Sequence, residues 1–289
     1  MTSARIYMRF PNQRAKAVTL SYDDGSDQDI RLIELMNQYG IKGTFNISAG
    51  LYSPEGTQFR EGSVCRRMTR EAAIRLYKNS GHEVAIHGYS HPFLDQMPSA
   101  RVALEALEDR VSHEKDYGCP VRGMAYPFGA YDDSVIEALR SAGIVYARTT
   151  ASTKKFSVPT DWMRLDPTCK HTDKQLGELT RSFLSAKGDK KPMLFYLWGH
   201  SFEFESDNNW DVIESFCREM GGREDIWYAT NIEIYDYVQA YQRLIWTADA
   251  GCVYNPSAIP VSFKYHVIRP EGETETIYTV GGGETLQIL

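Results

Sequence analysis

Short apolar runs alternate with amphipathic stretches along most of the chain. Residues 17–22 read as a buried strand. The stretch after it places Ile30, Ile33 and Met36 on one helical face, with Asp27 set to cap the start and Gly40 the end. Residues 43–47 form the next strand, and 48–68 a long polar loop broken by Pro54, Gly56 and Gly62. Thr69 then caps a helix that ends near Gly81, and residues 82–86 form a strand. Pro98-Ser99 opens a long helix whose expected buried stripe is Ala103, Leu107 and Val111. A strand over 122–126 leads into Pro127-Phe128-Gly129, a helix ends at Gly143, and a strand covers 144–147. Thr172 and Gln175 have capping-box spacing. Strands over 193–198 and 226–229 and helices over 211–220 and 232–246 complete the alternation. Repeated strand–helix units imply a mainly parallel sheet, either a barrel or a doubly wound sheet.

After residue 250 the texture changes. Short strands over 252–254, 259–268, 274–280 and 285–289 are separated by Asn255-Pro256 and by the glycines at 281–283. The expected organisation is therefore an α/β domain over 1–249 and a small β-rich appendage over 250–289, too small to fold alone and packed on the first.

The 289 residues are 42% hydrophobic and 24% charged, an ordinary globular composition. A net charge of −6 without a Lys/Arg cluster argues against nucleic acid and for a neutral or cationic substrate. The N-terminal residues lack the apolar core of a signal peptide, and no stretch is long and apolar enough to span a bilayer. The five cysteines are spread without a Cys-x-x-Cys pair, which argues against a thiolate metal site and for reduced thiols. The expected location is the cytoplasm, and a homo-oligomer is left open.

The candidate chemistry lies at strand ends. Asp23-Asp24-Gly25 closes the first apolar strand, His87 and His91 follow another, and His200 follows a third. Two imidazoles and one carboxylate suit a catalytic metal, a second carboxylate suits a base, and a further histidine suits an acid. Singly, each has a bland explanation: a His-x-x-x-His pair arises by chance, and acids after a strand often cap the next helix. Together, at the ends of strands in one β/α alternation, they favour a shared site.

These residues resemble the motifs of the polysaccharide deacetylases, a family of carbohydrate esterases. Ser21-Tyr22-Asp23-Asp24-Gly25 resembles Thr-Phe-Asp-Asp-Gly, and His87-Gly88-Tyr89-Ser90-His91 resembles His-Ser/Thr-x-x-His. Tyr126-Pro127-Phe128-Gly129, Asp161-Trp162 and Trp198-Gly199-His200 resemble, more loosely, the family's later motifs. The resemblance implies a distorted (β/α) barrel. It implies a divalent metal, zinc first with cobalt, iron or nickel also suited, held by Asp24, His87 and His91. It implies Asp23 as general base, His200 as general acid, and the Phe128 N–H as an oxyanion donor. The implied substrate is an acetylated sugar or short glycan, N-acetyl first. Tyr89, Tyr131, Trp162 and Trp198 are candidates to line a sugar site. The pattern departs in three places: Ala125 stands where the family has an arginine that steadies the base, Val158 where it has an aspartate, and Trp198 where it has a leucine. Arg164 is a candidate substitute for the arginine. His171 lies between two motifs, and Glu203 and Glu205 read as a solvated loop. The competing readings are a C–N hydrolase of a small amide or ring on the same scaffold, and a carbohydrate-binding protein with a relict site.

Overall fold

The computed structural model describes residues 3–269 and 272–288. Leu289, the expected end of the last strand, lies outside them.

The strands in chain order are β1 (Ser3–Arg9), β2 (Lys16–Asp23), β3 (Gly43–Ile47), β4 (Glu83–Ile86), β5 (Gly123–Ala125), β6 (Tyr146–Arg148), β7 (Cys169–Lys170), β8 (Met193–His200), β9 (Ile226–Tyr228), β10 (Ile245–Trp246), β11 (Cys252–Tyr254), β12 (Val261–Arg269), β13 (Gly272–Val280) and β14 (Thr285–Gln287). The helices are α1 (Asp29–Gln38), α2 (Arg70–Tyr77), α3 (Ser99–Tyr117), α4 (Asp133–Ser141), α5 (Leu176–Ser185), α6 (Phe202–Ser206), α7 (Trp210–Met220) and α8 (Asn231–Gln242).

The main sheet has eight strands in the order β6-β5-β4-β3-β2-β8-β7, with β9 also paired to β2. Every pairing in it is parallel. The seam between β6 and β7 is bridged by one segment. Leu165 N–H donates to Ala147 O (3.0 Å), and Thr168 N–H donates to Tyr196 O (2.8 Å) on β8. The sheet is thus curled into a distorted barrel, the geometry expected of strands that alternate with helices and are apolar on both faces. One cluster packs α1 and α7 on Leu20, Phe45, Phe195 and Leu197 of the sheet. A second packs α3 and α4 on Ile86, Met124 and Ala147. In a third, Ile234, Tyr237 and Val238 of α8 meet Ala17, Tyr146 and Tyr196.

The terminal strands form two antiparallel sheets, β1-β12-β13 and β10-β11-β14. β1 was not among the expected elements, and it pairs with β12 from Ser3↔Ile268 to Arg9↔Ser262. The Tyr237 hydroxyl fastens this sheet to α8 by donating to Arg9 O (2.6 Å) and accepting from Ser262 N–H (2.9 Å).

Five local expectations fail for physical reasons. Ile30 is 46% exposed because the buried face of α1 runs through Leu32, Ile33 and Met36, and Asp27 pairs with Arg66 instead of capping. The buried stripe of α3 is Val102, Glu105, Ala106, Asp109 and His113, so Leu107 and Val111 face outward. Thr172 and Gln175 make no capping box, whereas Thr230 and Glu233 make one at the start of α8. The last helix stops at Gln242, and Ile245–Trp246 is a strand.

Candidate active site

Asp23 and Asp24 leave the C-terminal end of β2 beside β3 and β8. Asp23 is almost fully buried, and both its oxygens are held. Oδ1 accepts from Asn46 Nδ2 (2.8 Å) and Oδ2 from the buried Arg148 guanidinium. Burial opposes ionisation of Asp23, but Arg148, His87 and His200 outweigh it and hold the carboxyl below its ordinary range. Asp24 then turns outward with a φ of 81°, and its Oδ1 accepts from Arg67 Nη2 at 2.5 Å.

His87 ends the β4 run, and its ring is fixed by Nδ1 standing 2.8 Å from Ala125 O. A carbonyl can only accept, so Nδ1 carries the proton and Nε2 keeps its lone pair. The two histidines are joined by a tight loop and not by a helical turn. Gly88 has a φ of 73°, His91 N–H donates back to Gly88 O (3.1 Å), and His91 has a φ of 54°. A Cβ at Gly88 would sit 3.1 Å from Pro92 Cδ and 3.2 Å from Pro127 Cγ. Helix α3 grips this loop through its buried acids. Asp109 accepts from His87 N–H (3.0 Å) and Ala49 N–H (2.7 Å), and Glu105 accepts from Ser90 N–H (2.8 Å).

One donor atom from each of Asp24, His87 and His91 lies within 4.8 Å of the others. The two Nε2 atoms are 3.2 Å apart. Two nitrogens bound at about 2.0–2.1 Å to one tetrahedral ion would be about 3.3 Å apart, so the donor set fits a divalent metal such as zinc. Burial and the neighbouring His87 push His91 down to about 4, which leaves its ring neutral and able to ligate at neutral pH.

His200, at the end of β8, faces this cluster. Its Nε2 is 3.8 Å from Asp23 Oδ2 and 4.0 Å from Asp24 Oδ2. Burial disfavours its cation, but Glu203, Asp23 and Asp24 together raise its pKa above the ordinary value. Phe128 follows β5 in a single tight turn with a φ of 58°. Its N–H is at the start of that turn, where no acceptor exists within it. Asp24, His91 and Phe128 are thus three non-glycine residues in left-handed backbone at one site, a concentration of strain found at functional centres.

The aromatic candidates separate. Phe128 is 57% exposed and its ring stacks on Phe93 at 4.0 Å. Tyr89 is half-buried against Gly50, and Tyr131 stacks on Tyr126 at 4.5 Å. Trp162 and Trp198 are buried: the first meets Tyr235 edge-on, and the second lies under Arg148, 4.4 Å from ring centre to guanidinium. Trp198 therefore backs the arginine beside Asp23, Trp162 packs on α8 away from the cluster, and neither forms an open floor.

Arg164 does not replace the missing arginine. It pairs with Asp161 (2.8 Å) and Asp133 in a half-exposed cluster. Arg148 is the residue that reaches Asp23. It pairs in register with Ala125 on the adjacent strand, so the cation has moved one strand sideways at the same height of the sheet. Its sequence signal was an arginine closing an apolar strand, a residue type almost never buried unless paired. Glu203 is also not a solvated loop residue, since it lies against His200, His171 and Lys170.

Residues 11–147 match the family profile "Polysaccharide deacetylase". The chain is 30% identical over 125 residues to a chitin deacetylase of Arthroderma benhamiae, covering 42% of this chain and 30% of that protein. It is 26% identical over 155 residues to a chitooligosaccharide deacetylase of Sinorhizobium fredii, covering 52% of this chain and 61% of that protein. The match therefore spans less than two thirds of either relative. A solved structure from Mycobacterium smegmatis assigned to the polysaccharide deacetylases shares the fold, with a TM-score of 0.59 at 17% identity over 82% of this chain and 94% of that one. Over residues 11–147 the chain is similar to the polysaccharide deacetylase family, and that match includes Asp23, Asp24, His87, His91 and Phe128. Arg148, His200 and Glu203 lie beyond the matched residues.

Proposed function

We propose that the protein is a metal-dependent hydrolase that removes acetyl groups, N-acetyl first, from a sugar or short glycan. The observation that carries this reading is the convergence of Asp24, His87 and His91 donors within 4.8 Å, with Asp23 and His200 beside them. Asp24, His87 and His91 would hold the metal. A divalent ion there would polarise the acetyl carbonyl and lower the pKa of a water from ~15.7 towards ~7.

The chain's own groups supply the rest. Asp23 stays a carboxylate under the influence of Arg148 and accepts the proton of the attacking water through an oxygen facing the cluster. The Phe128 N–H, at the start of its tight turn, donates to the oxygen on which charge builds. An amine leaves poorly until protonated. His200 Nε2 faces the same space and delivers that proton to the departing nitrogen. Arg148 beside Asp23 supplies the cation that is missing at Ala125, which supports a working base of the family's kind.

Acetate release from N-acetylglucosamine oligomers, from O-acetylated xylan and from a panel of small amides tests the proposal. The expected outcome is acetate from an acetylated glycan, reduced by about 10²-fold or more in Asp23→Asn and in His200→Ala. Turnover of small amides with none on any acetylated glycan would overturn it.

A further inference from the structure

Glu203 lies outside every motif that carries the family resemblance, and it follows His200 by three residues on α6. Its backbone is held firmly. Phe204 is fully buried, packing on the rings of His171 at 4.2 Å and Trp210 at 5.1 Å. Glu205, on the far side, accepts from Arg66 Nη1 and Gln28 Nε2, both at 2.8 Å. The first turn after β8 thereby brings the Glu203 carboxylate back beneath His200. Oε1 stands 2.6 Å from Lys170 Nζ and 3.3 Å from His200 Nδ1, while Oε2 stands 3.1 Å from His171 Nε2. His171 is pressed into place by Gly199, where a Cβ would sit 2.0 Å from its Nδ1. His200 Nδ1 is buried and makes no aligned hydrogen bond with any described residue, Glu203 included; the Glu203 carboxylate is the charged group set against it. Contacts of this kind are commonly long in an empty site and tighten when substrate binds.

An imidazole acts through one nitrogen only when the other is fixed, since the group that accepts from one nitrogen selects the tautomer. A carboxylate at Nδ1 selects Nδ1–H and directs Nε2 at Asp23 and Asp24. We propose that Glu203 is the positioning carboxylate of this site, holding the tautomer and ring orientation of His200. This rests on the reading of His200 as the acid. His171 Nε2 lies 3.1 Å from the other Glu203 oxygen.

Two measurements test it. The first compares Glu203→Gln and Glu203→Asp with Lys170→Met, which removes the ion pair but leaves both histidine contacts. For an N-acetyl substrate, Glu203→Gln is expected to lower kcat about 10²-fold with KM nearly unchanged, and 4-nitrophenyl acetate, whose phenolate departs without a proton, to lose less than about threefold. Glu203→Asp restores part of the loss, and Lys170→Met changes either substrate only modestly. Equal losses on both substrates, or the same loss in Lys170→Met, would reduce Glu203 to a structural ion pair. The second measurement needs no turnover. In protein with 15N-labelled histidine, at a pH where the ring is neutral, His200 carries its proton on Nδ1 in the wild type and shifts to Nε2–H in Glu203→Ala. An Nε2–H ring in the wild type, or one unchanged tautomer in both, overturns the proposal. Absence of acetate release from the wild type would count against the deacetylase reading alone.

Discussion

Arg148 and Asp23 form a buried ion pair whose cation lies one strand away from the position that the motifs imply. Side chains of register partners in adjacent strands point to the same face, so an arginine at residue 148 reaches the space that one at residue 125 would fill. Arg148→Met is expected to cost kcat about 10–10²-fold, because Asp23 loses its orientation, and about 3–5 kcal/mol of stability, because a buried carboxylate is left unpaired. Introducing Ala125→Arg into Arg148→Ala should recover part of both. Steady-state kinetics and urea melts check this, and failure of the double variant to exceed the single one would contradict the account. The sequence displayed the loss at Ala125 plainly but not its compensation. Which residue on the next strand lies opposite is set by sheet register, which local patterning leaves open. Asp23, Asp24, His87, His91 and His200 were legible because their chemistry repeats at strand ends. Glu203 was not, because a glutamate after a strand usually belongs to solvent.

At the scale of elements, α3 shows why the polar groups of the site escaped a reading based on apolar spacing. The helix buries Glu105, Asp109 and His113 beneath the loop that carries both histidines, and leaves Leu107 at 42% and Val111 at 62% exposure. A hydrophobic-periodicity argument assigns the buried face to the apolar stripe. Here backbone N–H groups of the loop that carries both histidines need acceptors more than the sheet needs another leucine. Asp109→Ala removes the acceptor of the Ala49 N–H, one of the two acceptors of the His87 N–H and the partner of His113, and is expected to cost about 2–4 kcal/mol. Leu107→Ser and Val111→Ser should each stay within about 0.5 kcal/mol of wild type. Denaturant titration separates the two cases, and equal costs would return the stripe to the core. The same competition explains Asp27, which is engaged by Arg66 and is not free to cap α1.

For the whole molecule, the β/α alternation was readable from residue 17 onward, since each unit is local. The closing of the chain on itself was not. Ile6 and Met8 alternate with polar neighbours, but nothing near them indicates that their partner strand lies beyond residue 260. Global stability should also carry a pH signature from below the barrel. Glu83, enclosed by Tyr146, Thr44 and the Ile232 N–H, is pushed by burial from 4.5 to about 7. Between those values the folded state keeps a proton that the unfolded chain releases. The contribution of Glu83 to stability is therefore fully present below about pH 4.5 and is lost as pH rises through 7, by at most about 3 kcal/mol. Urea melts at pH 5 and pH 8 in the presence of a chelator should show a smaller fall for Glu83→Gln than for wild type, and identical falls would contradict the assignment.

Metal stoichiometry by elemental analysis, on wild type and on His87→Ala/His91→Ala, tests the central claim most directly. The account predicts about one divalent ion per chain in the wild type after reconstitution, lost from a variant that keeps its circular dichroism spectrum. A wild type that binds no metal from zinc, cobalt, iron or nickel solutions, or a variant that binds as much as wild type, would contradict it.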